Sequence, residues 1–199
     1  MRPKKGTSNL LQPDFLLLAY CSGYFPMADS TTGEIDWYSP DPRAIFELDE
    51  FHIPRSLQSV VKSNKFEVTI DRDFESTIRA CADRDETWIS PEIIKAYCKL
   101  HEAGFAHSVE TWQGGTLAGG LYGVAVRGAF FGESMFSRVR DASKVALVYL
   151  VRRLKERGFE LLDTQFITPH LARFGAKDIP RVEYLQRLNK ALLKQASFV

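Results

Sequence analysis

The order of segments after residue 106 is the sequence feature that most constrains what this chain can fold into. Side-chain alternation predicts three consecutive strands, and the dipeptides Gly114-Gly115 and Arg127-Gly128 between them predict tight turns, so the strands should form an antiparallel meander. A long amphipathic helix from Asp141 to Gly158 follows, and one more apolar strand comes after it. The predicted strands cover residues 107–112, 116–126, 129–136 and 159–166.

Strand, strand, strand, helix, strand is also the order of the acyl-CoA N-acyltransferase (GNAT) core, in which two central strands splay and an acyl donor lies between them. Earlier in the chain, strands over 44–48 and 66–70 flank a helix over 54–62. We therefore predict a mixed α/β fold of the α+β class, in which a small N-terminal α/β domain packs on a GNAT-like C-terminal domain. The predicted divisions are a flexible tail over 1–9, the N-terminal domain over 10–62 and the GNAT-like catalytic domain over 63–199.

Two other segments carry clear local signals. Ser90 before Pro91 predicts a helix start, and Gly104 predicts its end. The segment 25–43 is dense in turn residues but holds aromatic side chains that need burial, so we expect it to be a structured loop.

The charge total hides an uneven distribution. The chain is 45% hydrophobic, which excludes a disordered protein, and its net charge of +1 argues against binding nucleic acid by bulk electrostatics. Residues 1–126, however, hold 12 basic and 18 acidic side chains, whereas residues 127–199 hold 14 basic and 7 acidic ones. A net charge of +1 therefore still allows a basic face around the long helix. The candidates for this face next to the predicted site are Arg138, Arg140 and Lys144.

Cysteine usage and apolar stretches indicate the compartment. The three cysteines Cys21, Cys81 and Cys98 are far apart, and none belongs to a C-x-x-C arrangement, which predicts neither a disulfide framework nor a metal site. The apolar stretch 15–20 is too short for a signal peptide or a membrane span. We therefore expect a cytoplasmic protein with no membrane contact.

The peptide Gly132-Glu-Ser-Met-Phe-Ser137 places a carboxylate on an otherwise apolar strand. Glu133 could receive a cationic or amine substrate in a cleft, but an isolated Glu on a strand more often lies on a solvated edge. Ser134 is a weaker candidate nucleophile, since the G-x-S-x-G elbow requires a glycine where this chain has Phe136.

A second acid lies in Leu161-Leu-Asp-Thr-Gln-Phe166. Alternation puts Asp163 and Gln165 on one face of the strand, where Asp163 could fix the Gln165 amide and its carbonyl could accept a proton from an attacking nitrogen. A structural polar pair at a strand end is the ordinary alternative. Trp88, just before a well-capped helix, could stack on a base, and His170 is a further site candidate.

The start of the long helix bears on the choice of acyl donor. A coenzyme A enzyme needs a glycine-rich loop here, whose free N–H groups hold a pyrophosphate, but this chain has Asp141 and Ser143. A carboxylate capping the helix would repel the pyrophosphate and occupy its donors. A GNAT-fold acyltransferase that uses acyl-CoA is therefore only the alternative hypothesis.

Nine peptides, in the same order over roughly residues 15 to 185, resemble the leucyl/phenylalanyl-tRNA–protein transferase family. Shared order across such unusual peptides is far more specific than any one of them. The peptides are Gly23-Tyr-Phe-Pro26, Trp37-Tyr-Ser-Pro-Asp-Pro-Arg-Ala44, Thr87-Trp-Ile89, His101-Glu-Ala-Gly-Phe-Ala-His-Ser-Val109, Gly119-Gly-Leu-Tyr-Gly-Val-Ala125, Phe130 to Ser137, Asp141-Ala-Ser-Lys144, Asp163-Thr-Gln165 and Ile179-Pro-Arg181.

The resemblance implies an aminoacyltransferase that moves Leu or Phe, or Met, from aminoacyl-tRNA to the N-terminal Arg or Lys of a protein, which marks that protein for N-end rule degradation. The implied partners are Leu-tRNA, Phe-tRNA and such acceptor proteins; no cofactor or metal is used, and the enzyme is expected to be a monomer. A tRNA-binding module that has lost its chemistry is a third possibility.

The resemblance also assigns site residues. Asp163 and Gln165 become the catalytic pair, Glu133 a substrate-binding carboxylate and Trp88 the adenosine-stacking ring. Met27 stands where the family usually has a tryptophan, and the N-terminal basic cluster is reduced. The implied donor pocket is Leu121, Phe130, Leu147, Leu154 and Leu162, and the remaining basic cluster is Arg55, Lys62 and Lys65.

Overall fold

The structure is a computed structural model that describes residues 10–199, so the predicted tail over 1–9 lies outside the described residues. Within them the chain has a mixed α+β fold. The strands are β1 Phe25–Ala28, β2 Ile35–Tyr38, β3 Arg43–Phe46, β4 Glu67–Ile70, β5 Ala106–Gln113, β6 Thr116–Val126, β7 Ala129–Ser137, β8 Leu161–Gln165 and β9 Ala176–Ile179. The helices are α1 Pro13–Cys21, α2 Arg55–Lys62, α3 Phe74–Ala82, α4 Pro91–Glu102, α5 Ala142–Glu156, α6 Pro169–Ala172 and α7 Arg181–Leu192.

Seven strands form the main sheet, in the order β4-β5-β6-β7-β8-β3-β9. The predicted meander is confirmed: β5, β6 and β7 pair antiparallel, and Gly114, Gly115 and Arg127 adopt the positive φ values that their tight turns require. Strand β8 pairs parallel to β7 only from Ala129 to Phe131, although β7 continues to Ser137. The two strands therefore separate beyond this short ladder.

Helices cover both faces of the sheet. Helix α5 packs against β5, β6 and β7 from one side, and α3 packs on the same three strands from the other, with α4 beside it on β5. The predicted start of α4 is confirmed, because the Ser90 hydroxyl accepts a hydrogen bond from the Ile93 N–H and Pro91 is the first helical residue. Two apolar clusters result, one between the sheet and each helical layer.

Strand β3 belongs to the main sheet, where it lies antiparallel between β8 and β9. The segment 10–62 thus contributes a strand to the same sheet as the segment 63–199, and the domain division between them stays a prediction. This pairing joins residues more than a hundred positions apart, which local sequence patterns do not encode.

The prediction of a loop over 25–43 was incomplete. Residues in this segment form the antiparallel hairpin of β1 and β2. Its turn is built by Asp29, whose Oδ1 accepts the backbone N–H groups of Thr31 and Thr32, and by Gly33 at a φ of 71°. The strands are four residues each, too short to show alternation above the turn signals.

Candidate functional site

A cavity of about 310 Å³ lies where β7 and β8 separate. Its α5 side is apolar, and its opposite side carries the polar side chains of Glu133 and Gln165. Trp88 and Met27 also line it. The apolar wall consists of Leu121, Met135, Leu147, Leu150 and Leu162.

Glu133 reaches this cavity through a β-bulge. In the ladder between β6 and β7, Tyr122 pairs with Ser134 and Gly123 pairs with Gly132, so Glu133 is an extra residue with no partner. Its side chain is 8% exposed, and β7 is an interior strand. The alternative of a carboxylate on a solvated edge strand is therefore wrong.

Neutral donors surround the Glu133 carboxylate. Its Oε1 accepts hydrogen bonds from the Tyr20 hydroxyl at 2.7 Å and from Gln165 Nε2 at 3.0 Å, and its Oε2 lies 3.5 Å from the Tyr97 hydroxyl. The two tyrosine hydroxyls also contact each other. Burial raises the pKa of both tyrosines well above the ordinary value, so each keeps its proton.

Burial also raises the pKa of Glu133, to about 7. The hydrogen bonds from Tyr20 and Gln165 lower this pKa, the nearby charge of Asp163 raises it and the charge of Arg43 lowers it. The carboxylate thus changes its charge near neutral pH, in contact with the cavity.

Gln165 is the last residue of β8 and has a φ of 65°, in the left-handed region. Its Nε2 donates to Glu133, so its carbonyl oxygen Oε1 lies on the opposite side of the planar amide. Its backbone N–H donates to Asp163 Oδ1 at 2.8 Å. The expected contact between Asp163 and the Gln165 side-chain amide is thus replaced by a contact with the backbone.

Asp163 is fully buried and lies behind the cavity wall. Arg43 binds it in a bidentate manner, with Nε 3.0 Å from Oδ1 and Nη2 2.6 Å from Oδ2, and the Tyr184 hydroxyl donates to Oδ2 at 2.7 Å. The Arg43 guanidinium lies 4.7 Å from the centre of the Phe25 ring and 4.5 Å from that of Tyr184. Burial lowers the pKa of Arg43, but the charge and hydrogen bonds of Asp163 raise it, as do the charges of Tyr184 and Glu133, and together they leave this pKa above its ordinary value.

Sequence reasoning missed Arg43 and the three tyrosines. One signal was available: Arg43 opens the apolar run Ala-Ile-Phe, and an arginine on a buried strand needs an acidic partner. The tyrosines gave no signal, because their partners lie in distant segments. Tyr20 and Glu133, for example, are separated by 113 residues.

The predicted donor pocket is partly assembled at the cavity. Three of its five residues line the cavity, as does the predicted stacking residue Trp88, which is half-buried. Phe130 and Leu154 do not line it. The Phe130 ring packs on Phe198 at 5.1 Å, and Leu154 is two turns beyond Leu147 on α5, so both belong to the core behind the pocket. The three that line it are Leu121, Leu147 and Leu162.

His170 also lines the cavity. Burial lowers its pKa, and the charges of Lys144 and Arg173 lower it further, so the ring is neutral at pH 7. Its buried Nε2 has no hydrogen-bond partner within residues 10–199.

The predicted basic residues lie on two elements that touch. Helix α2 carries Arg55 and Lys62, Lys65 follows it, and all three side chains are exposed; α2 packs against α5. Arg138 and Arg140 are exposed just before α5, with Arg140 92% exposed. Lys144 in the first turn of α5 binds Asp141 Oδ1 at 2.7 Å.

The expected helix cap at Asp141 is wrong. Asp141 does precede α5, but its φ of 72° is left-handed and its carboxylate accepts no hydrogen bond from the backbone N–H groups of the first helical turn. The carboxylate instead pairs with Lys144 and lies 3.7 Å from Arg140. The Ser143 N–H donates to the Ser137 hydroxyl at 3.4 Å.

Residues 10–199 contain no group of three His, Cys, Asp or Glu side chains placed to hold a metal ion. In the same range, every helix is too short or too polar to cross a membrane.

Comparison with known proteins adds to this geometry. The profile of the Leucyl/phenylalanyl-tRNA protein transferase family matches residues 45–189, and the profile of that family's N-terminal domain matches residues 9–41. A relative from Salinibacter ruber is 59% identical over 182 residues, which is 92% of this chain and 80% of the relative. One from Herpetosiphon aurantiacus is 58% identical over 189 residues, 94% of this chain and 98% of the relative. Both are named Leucyl/phenylalanyl-tRNA--protein transferase.

Solved structures give a weaker match. The structure of L-PGS from Bacillus licheniformis aligns with a TM-score of 0.44 and 16% identity, over 80% of this chain and 55% of that one. Similarity at this level does not establish a common fold.

These matches make the chain an aminoacyltransferase. It belongs to the leucyl/phenylalanyl-tRNA–protein transferase family, as the order of its peptides predicted. Arg43 falls in the short interval between the two matched segments.

Proposed function

We propose that this chain transfers Leu or Phe, or Met, from aminoacyl-tRNA to the N-terminal Arg or Lys of acceptor proteins and thereby marks them for N-end rule degradation. It would work as a monomer in the bacterial cytoplasm, with no cofactor or metal. The observation that supports this most is the Gln165 and Glu133 pair at an apolar cavity between separating strands, in a chain of this family. This separation of β7 and β8 is also what a GNAT-like arrangement requires.

The apolar wall of the cavity fits the side chain of the donor amino acid. Leu121, Leu147 and Leu162 would contact that side chain, with Phe130 and Leu154 packed behind them. A pocket of this kind accepts Leu, Phe or Met, rejects side chains that branch at Cβ, and discriminates by about 1 to 3 kcal/mol per methylene. Trp88, at the same cavity, would stack on the terminal adenosine of the tRNA.

The reaction needs orientation more than a strong base. The acceptor's α-amino nitrogen attacks the ester carbonyl carbon, the new C–N bond forms, the ester C–O bond to the ribose breaks, and the amine proton ends on the ribose oxygen. Gln165 Oε1 would accept a hydrogen bond from the attacking N–H as positive charge develops on nitrogen. The Glu133 carboxylate would hold the amide in the orientation that leaves Oε1 free.

Six basic side chains on or beside α2 and α5, five of them exposed, would contact tRNA phosphates. Such contacts position the donor without reading its sequence. The proposed set is Arg55, Lys62, Lys65, Arg138, Arg140 and Lys144.

The test is a transfer assay with Phe-charged tRNA and peptides beginning with Arg, Lys, Asp or Glu. We expect transfer to the Arg and Lys peptides, and a loss of roughly 100- to 1,000-fold in kcat for Gln165→Ala, as for removal of one hydrogen-bonding group at a reacting centre. Gln186→Ala, an exposed amide on α7, is the matched control and should transfer normally.

Three outcomes would contradict the proposal. Full activity of Gln165→Ala would remove the role of the amide. Acetyl-CoA binding by calorimetry, with no use of charged tRNA, would favour the acyl-CoA alternative. Binding of charged tRNA without any product would indicate a module that has lost its chemistry.

A further inference from the structure

We propose that Arg43 and Tyr184 are positioning residues for the transfer, which act through Asp163 to fix the backbone of Gln165. This proposal rests on the proposed function, because it assumes that the Gln165 amide takes part in the reaction. It assigns a role in catalysis to strand β3 and helix α7, neither of which lines the cavity.

Asp163 has no capacity left for a substrate. Arg43 Nε and the backbone N–H of Gln165 donate to Oδ1, while Arg43 Nη2 and the Tyr184 hydroxyl donate to Oδ2. The side chain is fully buried, behind the wall of the cavity rather than in it. Asp163 therefore influences the reaction through the residue that it holds.

The held residue has an unusual backbone. Gln165 adopts a φ of 65°, a conformation that costs a residue with a Cβ atom free energy and persists where the surroundings enforce it. The hydrogen bond from its N–H to Asp163 Oδ1 is such a constraint, at 2.8 Å and fully buried. This conformation ends the strand and directs the side chain of Gln165 to Glu133 on the separating strand β7.

Arg43 is in turn fixed from several elements. Its Nη1 donates to the Gly23 carbonyl at 3.1 Å, its guanidinium lies between the Phe25 and Tyr184 rings, and its side chain is 1% exposed. A bidentate pair between planar groups fixes the rotation of the carboxylate as well as its position. The orientation of Asp163 Oδ1 toward Gln165 is thus set by Arg43.

Arg187 provides a matched comparison. It also links α7 to the region of β3, through an ion pair with Glu47, and it pairs with Glu183 within α7, but it is only partly buried and contacts neither Asp163 nor Gln165. A variant at Arg187 weakens another ion pair between α7 and the region of β3. It leaves the contacts that run from Arg43 and Tyr184 through Asp163 to Gln165 unchanged.

The experiment is a double-mutant cycle on the transfer rate of the full chain. Tyr184→Phe removes one hydroxyl and keeps the ring over Arg43, and Arg43→Lys keeps the charge but loses the bidentate fork. Since small displacements of a catalytic group cost up to about 100-fold in rate, we expect kcat to fall about 10-fold in Tyr184→Phe and about 100-fold in Arg43→Lys, with KM for the charged tRNA unchanged. Arg187→Lys should leave kcat unchanged.

The effect of each variant in a Gln165→Ala background distinguishes a positioning role from a general contribution to the stability of the fold. In a Gln165→Ala background, Tyr184→Phe and Arg43→Lys should change the residual rate by no more than about 2-fold, because their effect passes through the missing amide. A full second loss in that background would overturn the proposal, as would losses that appear in KM for the donor. If Gln165→Ala itself leaves transfer intact, the proposed function of the amide fails instead. Thermal melting of each variant confirms that it is folded.

Discussion

Asp163 and Glu133 are two buried carboxylates on neighbouring strands, and they meet the cost of burial in different ways. Asp163 faces a cation, Arg43, which binds both of its oxygens. Glu133 is held mainly by neutral groups, the Tyr20 hydroxyl and the Gln165 amide, and burial raises its pKa to about 7. Asp163 is bound in an ion pair that builds the site, whereas Glu133 gains or loses its proton near neutral pH.

The difference shows how a single site combines a rigid ion pair with a group whose charge depends on pH. A buried ion pair with complete hydrogen bonding is costly to break from either side, so it suits a positioning role. A buried carboxylate whose hydrogen bonds come from neutral donors has a raised pKa, so it can gain or lose a proton near neutral pH. This property suits a group at the reacting end of the site. Gln165 touches both acids, with its backbone on Asp163 and its amide on Glu133.

Breaking the ion pair should have the largest effect. Arg43→Met leaves the Asp163 carboxylate buried without its cation, and we expect the free energy of unfolding to fall by about 3 to 5 kcal/mol. Chemical denaturation at pH 7 measures this loss. The double variant Arg43→Met with Asp163→Leu should recover much of it, whereas a loss below that of an ordinary surface pair would show that the two charges are not coupled.

Neutralising Glu133 should have the opposite sign. Its folded pKa of about 7 lies above the ordinary 4.5, so its contribution to stability is complete below pH 4.5 and is lost as the pH rises to 7. Glu133→Gln avoids that loss, and we expect it to gain about 3 kcal/mol relative to the native chain between acid and alkaline pH. Denaturation curves at several pH values measure the gain; the same pH dependence of the free energy of unfolding in both proteins would contradict the assignment.

Removing one neutral donor should sharpen the comparison. Tyr20→Phe deletes the hydroxyl that lies 2.7 Å from Glu133 Oε1, at a cost of about 1.5 kcal/mol at alkaline pH. Because that hydrogen bond lowers the Glu133 pKa, its loss should move the midpoint of the pH–rate profile of transfer upward. A midpoint that stays in place would show that Tyr20 does not stabilise the charged form.

The pair of the exposed Arg140 with Asp141 should show the smallest effect on stability. Arg140 is 92% exposed, so Arg140→Ala should change the free energy of unfolding by less than about 0.5 kcal/mol. If Arg140 contacts a phosphate, the salt dependence of tRNA binding should weaken by about one unit of slope. An unchanged slope would remove Arg140 from the proposed tRNA surface.

Much of the framework could be predicted from the sequence because its signals are local. The glycine turns, the Ser90 cap and the strands of the meander β5 to β7 all have signals in neighbouring residues, and the structure confirms them. The residue types at Glu133, Asp163 and Gln165 also stood out, since acids are costly in apolar strands.

The arrangement of the site could not be predicted in the same way. A bulge displaces Glu133 from simple alternation, and a positive φ at Gln165, a position without a glycine, ends the strand. The partners of Asp163 come from β3 and α7, and the hydroxyls around Glu133 come from α1 and α4. Such contacts depend on the order of strands in the sheet, which joins β3 to β8 across the chain.

The central claim is that ionised Glu133 holds the Gln165 amide so that its carbonyl can accept the attacking amine. A protonated Glu133 would donate to that carbonyl and withdraw it. The direct measurement is kcat/KM for an Arg peptide as a function of pH, in the native chain and in Glu133→Gln. Below pH 7 the native chain should lose roughly 100-fold per pH unit, because both Glu133 and the acceptor α-amine must lose a proton, and Glu133→Gln should lose only about 10-fold. Equal slopes in the two proteins would contradict the account.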